Sequence, residues 1–184
     1  MTNTQKKTAK LAKMAMLVAI SIVLVALVHF PIFPMVAFLE YDPADVAILI
    51  GTFLYGPVNG LIITLAASLI QGLTVSAQSG LYGILMHVIA TGTLVLVAGS
   101  LYRKGKSRKQ AVLALGAATV AMVVMMFFAN MFITPYFMGQ PRAVVMSLMP
   151  FILAFNFVKA ALNCAITFII YKPISRYLDR HDFR

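Results

Sequence analysis

The chain has 184 residues, 61% of them hydrophobic and only 11% charged, with a mean hydropathy of +0.93. A soluble domain averages about 45–50% apolar and about 25% charged, so a water-soluble globule is excluded and an all-α integral membrane protein is predicted, one transmembrane domain over residues 1–184. The net charge of +10 does not build a nucleic-acid surface, because the basic residues cluster at the ends of apolar runs.

Residues 1–13 are a basic segment carrying Lys6, Lys7, Lys10 and Lys13. Met14–Phe30 follows as the first predicted span. It is longer than a signal-peptide core and lacks a small-x-small cleavage site, so it reads as retained. Pro31 and Pro34 end its helix. Phe33–Asp45 is a loop in which Glu40, Asp42 and Asp45 gather, three of the chain's five acids beside Asp179 and Asp182. Val46–Tyr55 and Val58–Leu73 are apolar segments split by Gly56-Pro57, the first short enough to be a tilted helix or half of a re-entrant hairpin. Thr74–Gly80 is a small polar turn, and Leu81–Leu101 a clear span. A basic loop with Arg103, Lys104, Lys106, Arg108 and Lys109 leads into the span Ala111–Thr134. Pro135–Pro150 is read as a loop, Phe151–Tyr171 as the sixth span, and residues 172–184 as a basic tail with Lys172, Arg176, Arg180 and Arg184. Positive charge at both termini and in the middle loop predicts six crossings with both ends cytoplasmic in the cell membrane. The single cysteine, Cys164, rules out an internal disulfide and a cysteine-built metal site.

The last span carries the chemistry. Asn156, Lys159 and Asn163 fall at i, i+3 and i+7, one face of a helix. A lysine at membrane depth costs roughly 2.5–3.5 kcal/mol on insertion scales, so it faces a cavity or a partner. The plainer alternative is that Lys159 packs against another helix and pairs with an acid there, although no acid falls inside a long apolar run. Asn130, near the end of the fifth span, is expected at similar depth, placing Asn130, Asn156 and Lys159 around one outward cavity. Leu39, Glu40 and Tyr41 are available as its lid. An asparagine offers a donor and an acceptor, and so pairs with an imide-like edge. Phe128, Phe151, Phe155, Tyr41 and the methionines are expected to pack on a flat ring. A flavin fits this wall. A carboxylate such as biotin or pantothenate also fits Lys159, whereas a cationic ligand does not. His87, near Thr91 and Thr93, is a further candidate lining residue. On the first span, Ala15 and Ala19 form a small-xxx-small step that allows close helix approach. There is no H-E-x-x-H, G-x-S-x-G or P-loop, so no enzyme and no ATPase is read here.

The run from Phe30 to Gly60, FPIFPMVAFLEYDPADVAILIGTFLYGPVNG, resembles the first loop and second helix of the substrate-binding (S) components of energy-coupling factor (ECF) vitamin transporters. The stretches Ile70–Gly92, Ala129–Gly139 (ANMFITPYFMG) and Ala154–Asn163 (AFNFVKAALN) are similar to the riboflavin-specific branch of that family. The resemblance runs from Ala15 to Pro173 and is sharpest at F-N-x-x-K, Phe155 to Lys159. It implies a six-helix protein that binds one vitamin from outside and works with a transmembrane coupling protein and two ATPase subunits. It implies riboflavin as transported ligand, with no resident cofactor. By position, Asn130, Asn156 and Lys159 would hold the polar edge of the isoalloxazine ring, with Leu39, Glu40 and Tyr41 in the covering loop. Ala15 and Ala19 would contact the coupling protein. Asn163 takes no role from the resemblance and enters as a substrate-binding candidate by its place on the polar stripe. Other readings are an S component for another vitamin, a secondary transporter working alone, and a membrane assembly factor without a ligand.

Overall fold

The computed structural model describes residues 2–181, and for residues 175–181 the backbone only. In chain order it has α1 (Asn3–Leu27), β1 (Phe30–Pro31), β2 (Glu40–Tyr41), α2 (Ala44–Tyr55), α3 (Pro57–Leu73), α4 (Gly80–Tyr102), α5 (Arg108–Phe132), α6 (Thr134–Met138) and α7 (Arg142–His181). The six predicted spans correspond to α1–α5 and α7. Among the described residues four segments are long and apolar enough to cross a membrane, within α1, α4, α5 and α7, while α2 and α3 are shorter.

Helix α2 shows why a short segment suffices. Its 12 residues rise about 18 Å at 1.5 Å per residue, well below the roughly 30 Å hydrocarbon core. Every residue from Ala44 to Phe53 is buried, because α2 packs against α1, α3, α4 and α7. Protein surrounds it, so it meets little lipid. The chain reverses into α3 at Gly56, whose φ of +91° is left-handed backbone suited to glycine, and Pro57 starts α3 where its missing N–H costs nothing. Close approach continues at Gly99 of α4: a Cβ there would lie 2.7 Å from Thr52 Cγ2 and 3.0 Å from Pro57 Cα. Outward faces are apolar, including Met16, Ile20 and Val23 on α1 and Ile62, Leu65 and Leu69 on α3. That is the surface a bilayer requires.

Two boundaries differ from expectation. The basic N-terminal segment is helical, because Thr2 and Gln5 form a reciprocal capping box that starts α1 at Asn3. Residues 135–150 are not a loop: α6 occupies Thr134–Met138, and α7 begins at Arg142 with Pro150 inside it. Packing explains the second case. Val145, Met149 and Ile152 are buried against Val36, with Phe33, Phe38 and Leu39 around them, which outweighs the single backbone bond that Pro150 removes. The same cluster seats the loop between α1 and α2 on α7. That loop is pinched into a two-stranded ribbon in which Phe30 pairs with Tyr41 and Pro31 with Glu40. Of the predicted basic tail, Lys172 is described; the side chains of Arg176 and Arg180, and all of Arg184, lie outside the described residues.

Candidate binding site

The polar stripe of α7 faces inward as its spacing predicts: Asn156, Lys159 and Asn163 are all buried. The partner of Lys159 is the acid that follows β2. Lys159 Nζ donates to Asp42 Oδ2 at 2.6 Å, so the lysine does pair with an acid, but one on the loop before α2 and not on another helix. Asp42 Oδ1 in turn accepts from the backbone N–H of Ala44 at 3.0 Å, fixing the start of α2. Asn163 lies one step deeper. Its Nδ2 donates to the Asp42 carbonyl at 3.0 Å and to Asp45 Oδ2 at 3.1 Å, and its Oδ1 accepts from the Tyr41 hydroxyl at 3.1 Å. Asp45 also accepts from Thr91 Oγ1 at 2.6 Å and stands 3.5 Å from His87 Nε2. Two buried acids and one buried lysine are thereby held by charge-assisted hydrogen bonds that offset their desolvation. Burial, and next the Asp42 carboxylate, push the Tyr41 phenol above its ordinary value; it stays a donor to Asn163.

Above this network lies a cavity of about 150 Å³ of water-accessible space. Leu39, Glu40, Asn156 and Lys159 line it, with Asp42, Phe155, Met122 and Met126 beside them. Asn156 Nδ2 donates to the Ile152 carbonyl at 2.8 Å, which leaves its amide oxygen for the cavity. Helices α3 and α4 supply the remaining walls, including Ser68, Gln71, Ser76 and His87.

The other expected site residues fall elsewhere. Asn130 lines a smaller adjoining space with Phe38, Leu39 and Met126. Its amide is engaged at its own helix end, donating to the Met126 carbonyl and accepting from Thr134 Oγ1, both at 2.8 Å. Tyr41 and Asn163 line neither space and act in the network beneath. Phe128 and Phe151 point outward, 49% and 38% exposed, because each occupies the lipid-facing side of its helix; Phe155 alone of the three packs on the cavity. Asp42 and Asp45 were missed as site residues. The run Asp42-Pro43-Ala44-Asp45 is a helix-start signal that places both acids at one helix end, and it marks them as one unit.

A ring of apolar helices around a polar, partly lidded cavity defines a membrane protein that receives a small ligand. The family model for the ECF transporter substrate-specific component matches residues 9–171, and the chain belongs to that family. It is therefore a transporter component, not an enzyme. The riboflavin transporter RibU of Staphylococcus aureus (strain TCH60) is 25% identical over 150 residues, 78% of either chain. A solved S component of a bacterial ECF transporter is similar with a TM-score of 0.80 at 27% identity, covering 94% of this chain and 98% of that one. The six-helix S-component fold expected from the sequence is the fold observed.

Proposed function

We propose that this chain captures riboflavin from outside the cell membrane and delivers it inward with an energising module, a transmembrane coupling protein and two ATPase subunits. One observation carries the reading: Lys159, Asp42 and Asn156 stand together on one cavity wall. Nζ and Oδ2 lie 2.6 Å apart, near the roughly 2.2 Å between the oxygen and nitrogen of an amide or imide edge built from standard bond lengths. The wall thus offers adjacent donors and acceptors to the edge of a flat heterocycle, with Phe155 and methionines beside it for the ring. The similarity to a riboflavin transporter supports the same ligand.

A carboxylate vitamin is disfavoured. The charge of Lys159 is already matched by Asp42, and Glu40 lines the same space, so a further anion meets net repulsion. The cavity, about 150 Å³, is smaller than the roughly 300–1,000 Å³ of ligand pockets in general. Entry of a three-ring ligand therefore displaces the loop bearing Phe38, Leu39 and Glu40. On the outer surface of α1, Ala15 and Ala19 are exposed one helical turn apart, a smooth strip against which a coupling helix packs.

The test is riboflavin fluorescence titrated with detergent-purified protein, beside Asn156→Ala and Lys159→Arg, the latter keeping a cation toward Asp42. Stoichiometric quenching in the wild type, weakened about tenfold in each variant as expected for one lost hydrogen bond to a polar ligand, supports the assignment. Unchanged emission at micromolar protein removes the flavin and returns the choice to other vitamins.

A further inference from the structure

We infer that the end of the bundle opposite the ligand cavity holds a pocket for the phosphate of an anionic phospholipid, formed between the α2–α3 joint and the loop after α4. Helix α4 has 23 residues, about 35 Å at 1.5 Å per residue. Its first turns, with Gly83 and His87, line the ligand cavity, so Arg103, just past its last residue, stands at the other end of the bundle. A second cavity of about 390 Å³ of water-accessible space opens there. Gly56, Val58 and Asn59 line it together with Arg103 and Lys106.

This lining is cationic and held in place. No acid lines the cavity, and among the described residues neither Arg103 nor Lys106 has an ion-pair partner. Arg103 crosses the joint: its Cδ lies 3.8 Å from the point where a Cβ on Gly56 would stand. Lys106 has a φ of +47°, left-handed backbone, although the glycine that could take it without strain is its neighbour Gly105. Strain of this kind in a residue with a side chain collects at functional sites. The turn is anchored, since the Lys106 N–H donates to the Tyr102 carbonyl at 3.0 Å and the Lys106 carbonyl accepts from the Tyr102 hydroxyl at 3.4 Å. Tyr55 also lines the cavity and carries Lys10 Nζ 5.9 Å over its ring, a third cation at the rim. Asn59 Nδ2 uses one hydrogen on the Tyr55 carbonyl at 2.6 Å and keeps a second.

Basic pockets at a membrane face bind phospholipid headgroups, and a phosphate oxygen is a strong acceptor for guanidinium and ammonium donors. A soluble phosphate shares that chemistry; the neighbouring surface of α3 favours the lipid. Val58, Ile62, Leu65 and Leu69 fall at i, i+4, i+7 and i+11, one stripe of a helix, and are 43–64% exposed. The stripe starts at the cavity and rises about 16 Å, half of the roughly 30 Å hydrocarbon core. A phospholipid engages the cations with its head and the stripe with an acyl chain, whereas a free phosphate engages the cations alone. Lys104 and Lys109, in the same loop, do not line the cavity.

The chain has no tryptophan, so Ile62→Trp, one turn along the stripe from Val58, is a single reporter of the lipid chains beside it. This protein is reconstituted in mixed phosphatidylcholine and phosphatidylglycerol vesicles, with one lipid or the other brominated, and tryptophan quenching gives the ratio of the two lipids at α3. The expected result is at least about fivefold preference for phosphatidylglycerol, the gain that one basic residue supplies at a membrane surface. Adding Arg103→Gln with Lys106→Gln is expected to bring the ratio near one. Adding Lys104→Gln with Lys109→Gln, which removes the same charge, is expected to leave it unchanged. Equal losses in the two double variants overturn the inference in favour of diffuse surface charge. Loss of the preference on adding inorganic phosphate, but not chloride at the same ionic strength, overturns it in favour of a soluble anion. A ratio near one in Ile62→Trp itself overturns it outright and leaves the cavity to an acidic segment of a protein partner, a result that needs no double variant to fold. The flavin reading stands or falls separately from all of these.

Discussion

Lys159 on α7 and Asp42 at the end of the β-ribbon, 117 residues apart in sequence, form an ion pair at 2.6 Å with side chains only 11% and 6% exposed. The pair ties the loop over the cavity to the helix that forms the cavity wall. A ligand that engages Lys159 therefore also acts on the residue that anchors the loop. Asn163 reinforces the link, since its amide bonds the Asp42 carbonyl and the Asp45 carboxylate at once.

Removing one member of this pair leaves the other charge buried without its partner, which typically costs about 3–5 kcal/mol. Lys159→Met and Asp42→Asn are each expected to lower the thermal midpoint in detergent markedly. The double variant is expected to recover much of the loss, because no uncompensated charge remains. A double-mutant cycle on melting temperature checks this; strictly additive losses would show that the two side chains do not stabilise each other.

The sequence made the scaffold and the inward stripe of α7 legible, because both rest on hydrophobic runs and helical spacing that owe nothing to distant contacts. The lysine's partner was not legible. Asp42 reaches Lys159 only after the loop folds back over α7, and that return depends on the packing of Val36 and Phe38 against Val145 and Met149. Asn130 is placed by depth and by the resemblance, neither of which reads its local hydrogen bonds. Depth does not reveal that Thr134, one turn on, occupies its amide oxygen. Residues 135–150 read as a loop in the sequence, although neighbouring contacts carry α7 through Pro150.

The Tyr41 phenol is pushed above its ordinary value of 10.0, first by burial and then by Asp42. The sign follows: the unfolded chain loses this proton first, so the contribution is fully present below about pH 10 and is lost as pH rises toward the higher folded value. The near-ultraviolet difference titration between wild type and Tyr41→Phe is expected to show ionisation displaced above pH 10. A midpoint at or below 10 would contradict the burial of this hydroxyl against Asn163. Tyr41→Phe is further expected to cost about 1 kcal/mol, one neutral hydrogen bond.

Gly99 marks the closest approach of α4 to the α2–α3 joint. A methyl group there meets the Pro57 backbone at 3.0 Å as well as the Thr52 side chain, and backbone cannot rotate away. Gly99→Ala is expected to destabilise by about 1–3 kcal/mol, the usual range for overpacking, and Gly99→Val by more. Gly116→Ala, where a Cβ meets nothing within 4 Å, is the control and is expected to be neutral or slightly stabilising through helix propensity. Thermal midpoints of the three variants decide it, and equal midpoints would remove the steric argument.

The orientation proposed for the membrane rests on charge and has its own test. Helix α5 has 25 residues, about 37 Å at 1.5 Å per residue, enough to carry its two ends to opposite faces of a roughly 30 Å core. Arg103, Lys104, Lys106, Arg108 and Lys109 crowd its first end, whereas the segment around Gln140 after α6 carries Arg142 as its nearby cation. The positive-inside bias predicts that the first end lies in the cytoplasm. Cysteines at the exposed positions Gly105 and Gln140 report this, in a Cys164→Ala background that removes the single native, buried thiol. In intact cells a membrane-impermeant maleimide is expected to label Gln140→Cys and to reach Gly105→Cys only after permeabilisation. The reverse pattern would invert the protein and turn the cavity toward the cytoplasm, where it could not receive a ligand from outside.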